Sequence, residues 1–259
     1  MEGGATRGVF TSGALDYLME KDLYFSYVVG VSAGSCNAVD YVSKQIGRTR
    51  DCMIHRGKEY SYYYGLKDFV KERSLLDMDM IFNKYPNELF PFDFDTYFSN
   101  GMTCEIVTTN CLTGNAEYMT EENDSDRLMK ICRASSSMPL VCPIVNIDGI
   151  PYLDGGLADS IPVKHVQEKG LKKIVLILTR PEGYRKNPTS KAVGKLYRKM
   201  YSKYPALVRT CIRRPVMYNR TEEYIEKLEK DYDKLMAFYD HGYEMMKREL
   251  PRLKAYLEK

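Results

Sequence analysis

The sequence predicts an α/β protein in which helices pack against a sheet. Residues 27–31 are a short apolar run, and the small-residue segment after them is typical of a helix that follows a buried strand. Residues 172–178, KKIVLIL, form a continuous apolar run of the kind found in parallel strands covered on both faces. Strand-like and helix-like segments alternate along the chain, and this alternation indicates an α/β sheet.

The helix after the first strand is predicted at residues 34–46, with Gly47 just past its end. Residues 103–120 then contain two β segments, which turn around Gly114 and Asn115. Two further strands are therefore expected on either side of this turn.

A short helix and a hairpin are predicted next. The helix spans residues 124–134, with Asp124 or Ser125 as its N-cap. The stretch VNIDGIPYLDGG, residues 145–156, alternates apolar and polar residues around an Asp-Gly pair, which is a strong hairpin signal. The second arm of this hairpin is expected to deliver Asp154 just beyond the strand.

The last forty residues have a different character. Residues 221–239 place apolar side chains on one face and charged side chains elsewhere, which predicts an amphipathic helix capped by Asn219 or Thr221. Pro251 is expected to limit the helix that follows. We interpret the amphipathic helix as packed on the domain or on a partner. Its apolar face consists of Ile225, Leu228, Tyr232, Leu235 and Tyr239.

The composition indicates a globular chain that can bury a full core, with 259 residues of which 44% are hydrophobic. Its apolar runs are far shorter than the roughly 20 residues that span a bilayer, and no charged and then apolar leader stands at its start. Seven cysteines without a close pair fit neither a disulfide framework nor a zinc site, and the three histidines are widely spaced. We therefore predict reduced thiols, no metal and a cytoplasmic protein.

Positive charge is concentrated between residues 180 and 214, which contain eleven Lys or Arg and a single acid, Glu182. This segment carries a net charge of +10, and the remainder of the chain carries −7. The local excess points to an anionic partner or to a solvated basic surface. Nucleic acid is disfavoured as the partner because no recognition motif accompanies the basic residues.

Within this segment, residues 190–204 predict an amphipathic helix. We favour a helix that packs on the domain and leaves a basic face in solvent. The alternative is an interfacial helix that binds an anionic membrane surface through residues 185–214, which would make the protein a peripheral membrane protein. The predicted apolar face consists of Ala192, Val193, Leu196, Met200 and Tyr204.

Ser32 is the candidate nucleophile. It lies in Gly30-Val31-Ser32-Ala33-Gly34, which matches the G-x-S-x-G pattern of a serine on a sharp strand-to-helix turn. The two flanking glycines avoid collisions at such a turn. The pattern also occurs by chance, so a structural turn is the alternative, but its position between a predicted strand and a predicted helix favours the nucleophile.

A serine nucleophile needs backbone N–H donors for the charge that develops on the carbonyl oxygen. The glycine-rich turn GGATRG, residues 3–8, can provide such donors, and it opens a predicted helix whose dipole favours an anion. The turn lacks the Gly-Lys-Ser/Thr ending of a P-loop and the G-x-G-x-x-G spacing of a dinucleotide fold. Phosphate binding by either motif is therefore disfavoured.

The general base is harder to identify because no histidine lies in an obvious motif. His165 and His241 follow Asp154 in the order of a Ser-Asp-His triad, but nothing around them indicates catalysis. Asp154 is the better candidate, since the two glycines after it allow the backbone to turn a carboxylate into a cleft, where desolvation raises its basicity. A turn-capping role for Asp154 is the alternative.

Four sequence blocks occur in an order that resembles the patatin-like lipid acyl hydrolases, especially small bacterial members with a helical C-terminal extension. The blocks are GGATRG, GVSAG, ASSSMP at residues 134–139, and DGGLADSIPV at residues 154–163. The resemblance implies a three-layer α/β/α patatin-like fold with a mostly parallel central sheet. It also implies a catalytic domain at residues 1–180, with the basic segment and helical extension at residues 181–259 packed on it.

The same resemblance implies a Ser-Asp dyad without histidine, in which Ser32 is the nucleophile and Asp154 the base. Amides of Gly3, Gly4 and Ala5 would form the oxyanion hole. Lipid acyl esters are the expected substrates, and no cofactor is expected. The implied supporting residues are Arg7, at the basic position of the family's loop, and Gly30, Gly34, Gly155 and Gly156.

Two features depart from the family pattern. Ala5 replaces the third loop glycine, so the loop is expected to be mildly strained if this position needs a positive φ. Family members have an apolar strand directly before the loop, whereas only Met1 and Glu2 precede it here. We therefore expect an upstream start codon or a shortened chain, and a sheet neighbour left unpaired.

The sequence thus favours a serine acyl-ester hydrolase acting on lipid acyl esters of the phospholipid or lysophospholipid class through an acyl-enzyme. A Ser-His-Asp esterase is the first alternative. A non-catalytic membrane-binding protein that retains the fold is the second, because of the absent first strand and the basic segment.

Overall fold

The computed structural model describes residues 1–54, 57–63, 74–228 and 242–257. β1 and β2 pair in parallel, whereas the β2–β3, β2–β5 and β4–β5 pairs are antiparallel, so the sheet is mixed. The strands are β1 (Tyr27–Val31), β2 (Thr103–Asn110), β3 (Ala116–Met119), β4 (Val145–Ile147) and β5 (Ile150–Asp154).

Helices of very different length accompany this sheet, and one of them, α4, is a π-helix with Pro86 inside it. The described helices are α1 (Gly8–Glu20), α2 (Ala33–Val42), α3 (Arg48–Met53), α4 (Met80–Leu89), α5 (Phe94–Ser99), α6 (Ser125–Ser135), α7 (Val163–Glu168), α8 (Lys191–Met200), α9 (Pro205–Leu228) and α10 (Gly242–Leu257).

β1 and β5 lie end to end along one edge of β2. β1 pairs with residues 103–107 of β2, and β5 pairs with residues 108–110. β3 pairs with residues 106–109 of β2, two of which also pair with β1 and two with β5. Because a strand has one neighbour on each side, β3 lies along the opposite edge of β2. Because β1 runs parallel to β2 and β5 runs antiparallel to it, the carboxyl ends of β1 and β5 meet at the middle of β2. The residues at these ends are Val31 and Asp154.

Helices cover both faces of the sheet. On one face, Val28 of β1 and Ile106 of β2 belong to the main core, together with residues of α1, α2, α6 and α10. On the other face, Val29 and Val107 pack against Val166 of α7. Successive strand residues thus point to opposite faces, and the predicted three-layer α/β/α arrangement is confirmed.

The predicted hairpin and the helix before it are also confirmed. Asp148 and Gly149 both adopt positive φ values, +52° and +82°, as a two-residue hairpin turn requires. Asp154 is the last residue of the second arm rather than the residue beyond it. The side chain of Asp124 caps α6 by accepting a hydrogen bond of 2.9 Å from the Arg127 amide.

The predicted helix at residues 34–46 is too long. α2 ends at Val42, and Lys44 then adopts a left-handed φ of +57°, which no α-helix accommodates. Gly47, with a φ of +79°, precedes α3 instead of following α2.

The C-terminal helical region is confirmed, but its boundaries differ from those predicted. α9 begins at Pro205 and runs through Asn219 and Thr221, so neither of these residues caps a helix, and residues 229–239 of the predicted helix lie outside the described residues. α10 continues through Pro251, because Leu250 and Leu253 are buried in the main core on either side of it. The division of the chain at residue 180 stays a prediction.

α8 presents a different face to the protein from the one predicted. Gly194 is buried, and Tyr197 and Tyr201 pack with Leu207 of α9 and Leu153 of β5. Most of the predicted apolar face is therefore turned outward: the exposed fractions of Val193, Leu196 and Met200 are 37%, 42% and 57%. Tyr204 of that face, beyond the end of α8, instead packs against this cluster. The larger tyrosine rings take the interior positions, and the Tyr201 hydroxyl accepts a hydrogen bond of 2.8 Å from the Leu140 amide.

The apolar run at residues 172–178 lies beside the sheet but forms no strand, which corrects the prediction. Met1 and Glu2 lie between β1 and this run: the Val31 amide donates to the Met1 carbonyl at 3.3 Å, and the Glu2 amide donates to the Ile177 carbonyl at 3.0 Å. Elsewhere a small cavity of about 90 Å³ separates β1 from the run. Met1 and Glu2 thus connect the end of β1 with Ile177 of the run, and the small cavity lies beside other residues of both segments.

Glu105 of β2 is a buried carboxylate at the centre of a polar cluster. It accepts a hydrogen bond of 2.6 Å from the Tyr27 hydroxyl, lies 2.6 Å from Nε2 of His165 and forms an ion pair of 2.6 Å with Lys169. Burial raises the pKa of Glu105, but the contacts with Lys169, Tyr27 and His165 outweigh it and hold this pKa below its usual value. The cluster attaches α7 to the sheet.

Glu105→Gln is expected to lower the free energy of unfolding at neutral pH by about 1.5 to 3 kcal/mol, the range for hydrogen bonds to a charged group. Because the folded state lowers this pKa, the ionised carboxylate stabilises the protein above its unfolded-state pKa of 4.5, and the effect is lost as the pH falls through the folded-state pKa. Urea unfolding at neutral and acidic pH measures both. The exposed variant Glu182→Gln is the control, and an equal loss at both pH values would contradict the assignment.

Candidate active site

Ser32 lies on a sharp turn between β1 and α2. Its φ of +55° and ψ of −125° form a strained conformation for a residue with a side chain. α2 begins at Ala33, so the N–H groups of its first turn lack helical acceptors. The strand, turn and helix predicted around this serine are therefore confirmed.

The two elbow glycines allow a close approach of backbone to backbone. A Cβ atom at Gly30 would lie 2.3 Å from the Gly34 carbonyl oxygen, and one at Gly34 would lie 2.7 Å from the Met1 carbonyl oxygen. Larger residues at either position would push β1, α2 and the N-terminal segment apart.

The end of α6 and the residues just after it hold both Ser32 and Asp154 in place. The Ser32 amide donates a hydrogen bond of 2.9 Å to the Ser135 hydroxyl, which itself donates one of 2.7 Å to the Val107 carbonyl. Two residues later, the Ser137 carbonyl accepts a hydrogen bond of 2.8 Å from the Asp154 amide. The Ser135 hydroxyl thereby links the backbones of Ser32 and Val107 just beyond the last paired residue of β1. The Ser137 carbonyl holds the end of β5.

Asp154 is 4% exposed and lies at the end of β5, opposite Thr108 of β2. Its carboxylate accepts a hydrogen bond of 2.7 Å from the Gly156 amide, and its carbonyl accepts one of 2.8 Å from the Thr109 hydroxyl. A Cβ atom at Gly155 would lie 2.1 Å from the Val107 carbonyl oxygen, so only glycine fits where the chain leaves the sheet.

The electrostatic surroundings of Asp154 make its carboxylate more basic than usual. Burial raises its pKa, and this effect exceeds the opposing contributions of Arg214, of a hydrogen bond from the Ser32 side chain, of the Gly156 amide and of Lys186. The structure thus brings the Ser32 side chain close to the buried carboxylate of Asp154, although the two residues lie 122 positions apart in the printed sequence.

The glycine-rich loop passes directly over Ser32. A Cβ atom at Gly3 would lie 2.7 Å from the Val31 carbonyl oxygen and 2.8 Å from the Ser32 Cβ. The Thr179 hydroxyl fixes the loop by donating a hydrogen bond of 2.7 Å to the Gly3 carbonyl.

Ala5 has a φ of +50°, so the positive φ considered for this position is present and the alanine is strained. A short 3₁₀ turn, Ala5–Arg7, follows Gly4 and leads into α1. The Arg7 side chain at its end is exposed.

An apolar cavity of about 500 Å³ opens beside Ser32. Its volume falls within the range of about 300 to 1,000 Å³ that is common for small-molecule sites. Three cysteines line the cavity, and burial raises the pKa of the Cys36 thiol to about 11, that of the Cys52 thiol to about 12 and that of the Cys132 thiol well above its ordinary value, so all three stay protonated at neutral pH. The apolar lining includes Ala33, Val39, Leu76, Phe82, Met129 and Val141.

His165 is not a neighbour of Ser32 and Asp154 in the hydrogen-bond network. Its ring stacks on Tyr118, with ring centroids 3.4 Å apart, and its Nε2 contacts Glu105. His55 and His241 lie outside the described residues. Over the described ranges, no group of three or more His, Cys, Asp and Glu side chains could hold a metal ion.

The model of a known protein family matches more than half of this chain. The model of the family "Patatin-like phospholipase" matches residues 1–166, which include the loop, the elbow and Asp154. This chain belongs to the patatin-like phospholipase family. Membership supports a lipid acyl hydrolase in general. Among the described helices of this patatin-like protein, none is long and apolar enough to cross a membrane.

A relative has also been found among curated proteins. Over 187 residues, which are 70% of this chain, the patatin-like protein is 32% identical to the uncharacterized protein YjjU of Escherichia coli strain K12. The match covers 51% of YjjU, so the chain spans about half the length of this curated relative.

Sequence reasoning matched the ASSSMP block of this patatin-like protein but missed the role of Ser135. The available signal was a run of small polar residues at the end of α6, and such residues often hydrogen-bond to backbone groups. The acceptor and donor that Ser135 joins lie far away in the chain, so the pattern alone does not identify them.

Ser135→Ala is expected to lower the free energy of unfolding by about 1 to 3 kcal/mol, because it leaves the Ser32 amide and the Val107 carbonyl without their buried partner. Turnover of an acyl ester should also fall, since the elbow loses its anchor. Chemical denaturation and ester hydrolysis measure the two effects. Ser136→Ala is the matched control, because the Ser136 hydroxyl makes no hydrogen bond to the Ser32 backbone. Equal stability of the two variants would contradict the anchoring role.

Proposed function

We propose that this protein is a serine hydrolase of lipid acyl esters that uses a Ser-Asp dyad. The observation that carries the proposal is the contact between the Ser32 hydroxyl and the buried, basic carboxylate of Asp154. The strained elbow, the adjacent loop and the apolar cavity support it.

In the first half of the reaction, Ser32 Oγ attacks the ester carbonyl carbon while its proton passes to Asp154. The tetrahedral intermediate carries negative charge on the former carbonyl oxygen, and amides of Gly3, Gly4 and Ala5 or of the first turn of α2 stabilise it. The bond to the alcohol then breaks, and Asp154 returns the proton to the leaving oxygen. An acyl-enzyme on Ser32 and a free alcohol result.

In the second half, a water molecule attacks the acyl-enzyme and gives a proton to Asp154. Collapse of this intermediate releases the carboxylic acid, and the proton returns to Ser32. The net reaction converts one ester and one water into one acid and one alcohol, and it needs no redox partner.

The cavity beside Ser32 favours an acyl chain as the bound part of the substrate. Its lining is mainly aliphatic, aromatic and methionine side chains, and binding there removes apolar surface from water. Since the three cavity thiols stay protonated at neutral pH, the serine is the nucleophile best prepared to take the acyl group.

Ser32→Ala and Asp154→Asn are each expected to lower kcat for an acyl ester by a factor on the order of 10³ or more, since each removes a reacting group. Hydrolysis of a chromogenic ester gives the rates, circular dichroism checks folding, and mass mapping after fluorophosphonate labelling identifies the modified residue. Alanine at His55, His165 or His241 should leave at least about a tenth of the rate. A general acid or base contributes a factor of about 10² to 10⁴, so a loss of less than tenfold means that the histidine does not act as one. An indispensable histidine would favour a Ser-His-Asp esterase, and near-full activity of Ser32→Ala would exclude the mechanism.

We also propose that α8 docks the protein on an anionic lipid surface. Val193, Leu196 and Met200 are exposed together, and Lys195, Arg198 and Lys199 flank them. An exposed apolar stripe bordered by basic residues is the composition of an interfacial helix. Each basic residue near an anionic surface contributes roughly 1 kcal/mol.

Leu196→Glu is expected to weaken binding to vesicles of mixed phosphatidylserine and phosphatidylcholine by about tenfold, because it puts a negative charge in the apolar stripe. Cosedimentation with vesicles measures binding. Leu112→Glu is the matched control, since Leu112 is exposed to a similar extent, 56%, in the turn between β2 and β3. Equal loss in both variants would contradict docking by α8. Vesicle binding by wild type without labelling of Ser32 would favour a non-catalytic membrane-binding protein.

A further inference from the structure

Four basic side chains form a cluster outside the apolar cavity, and two of them lie near Asp154. Arg214 of α9 donates a hydrogen bond of 2.8 Å to the Gly156 carbonyl, and the charges of Arg214 and Lys186 both lower the pKa of Asp154. Arg180 and Arg7 in turn repel Lys186. None of the four lines the cavity beside Ser32.

The aromatic surroundings hold two of these cations in place. Nζ of Lys186 lies 3.8 Å from the centre of the Tyr218 ring, and the Arg180 guanidinium lies 4.3 Å from the centre of the Tyr184 ring. Tyr218 is itself fixed by a hydrogen bond of 2.9 Å from its hydroxyl to Glu2. The cluster is therefore positioned by packing rather than by solvent.

The cluster lacks the ion pairs that normally neutralise such charges. In the described ranges of the chain, no carboxylate oxygen lies within 4.0 Å of a charged nitrogen of Arg7, Arg180, Lys186 or Arg214. By contrast, neighbouring Arg185 forms a bidentate pair with Glu226, with both distances 2.8 Å. In addition, Nε of Arg180 is buried without a hydrogen-bond partner.

Holding like charges together costs free energy. Burial and the repulsion of Arg214, Arg180 and Arg7 lower the pKa of Lys186 to about 8, against the opposing attraction of Glu2. A bound anion would relieve this repulsion and supply the missing acceptor for Arg180.

We propose that Arg180, Lys186 and Arg214, with Arg7 at the rim, bind a phosphate monoester group on the alcohol part of the acyl ester. The inference rests on the proposed function and names its substrate class: acyl esters of a phosphorylated alcohol. The cavity takes the acyl chain and the cluster takes the phosphate, so the ester carbonyl lies between them at Ser32. A phosphate monoester carries nearly two negative charges at neutral pH and suits guanidinium and ammonium donors.

The test compares two water-soluble esters that share the acyl chain, octanoylglycerol phosphate and octanoylglycerol, below the concentrations at which they aggregate. Monomeric substrates separate this site from docking by α8. Wild type is expected to hydrolyse the phosphate ester with a kcat/KM at least about tenfold higher, as a charge-assisted contact provides. Arg180→Gln and Lys186→Gln should each lower this ratio several-fold, while Lys130→Gln, at an exposed site on α6, should not change it.

Two outcomes would overturn the proposal while leaving ester hydrolysis intact. The first is that wild type hydrolyses the two esters with nearly equal kcat/KM. The second is that the Arg180 and Lys186 variants lose the same fraction of kcat/KM on both esters, which would mean that these cations act on Asp154 alone. If wild type hydrolyses neither ester, the proposed function itself is contradicted.

Calorimetric titration of Ser32→Ala gives a readout that does not depend on turnover. The phosphate ester should bind more tightly than octanoylglycerol, and inorganic phosphate should bind weakly and compete with it. Inorganic phosphate that binds as tightly as the ester would assign the site to free phosphate and overturn the head-group role. Binding of the two esters with equal affinity would overturn it as well.

Discussion

The candidate site depends on the way in which one edge of β2 is shared by two strands that run toward each other. β1 ends opposite Val107 and β5 ends opposite Thr108, so the residues that leave these strands are neighbours by register alone. The close contacts of Gly155 and Gly3 with the same region follow from this convergence, because a backbone that leaves the sheet there has no space for a side chain. A slip of one residue in either ladder would also send the side chains to the opposite face of the sheet.

Charge is distributed around this junction in an ordered way. On one side of Ser32 lies an apolar cavity whose thiols are protonated, and on the other lies a carboxylate whose basicity is raised by burial and moderated by nearby cations. The basic segment of the sequence supplies both of these cations, Lys186 and Arg214, while other residues of the segment lie on the exposed side of α8. The basic residues of this one segment therefore lie in two places, beside the candidate site and on the exposed surface of α8.

Features that depend on local chemistry were predictable from the sequence. The elbow around Ser32, the Asp-Gly hairpin turn and the cap of α6 each follow from a few adjacent residues. Features that depend on distant neighbours were not. The run at residues 172–178 has the composition of a strand but forms none, and α8 packs Tyr197 inward because α9 and β5 provide a fitting apolar surface. The helix through Pro251 persists because tertiary packing outweighs local propensity.

The hydrogen bond from the Ser32 amide to Ser135 spans 103 residues of sequence. Contacts of such separation form late, since the entropy of closing a long loop has to be overcome before they contribute. A folding intermediate with β1 and α2 in place but α6 undocked would display its serine on an unsupported turn, with the backbone amide open to solvent. The geometry of the candidate site is thus a property of the completed tertiary structure, because it needs residues from the middle of the chain to pack against residues near its start.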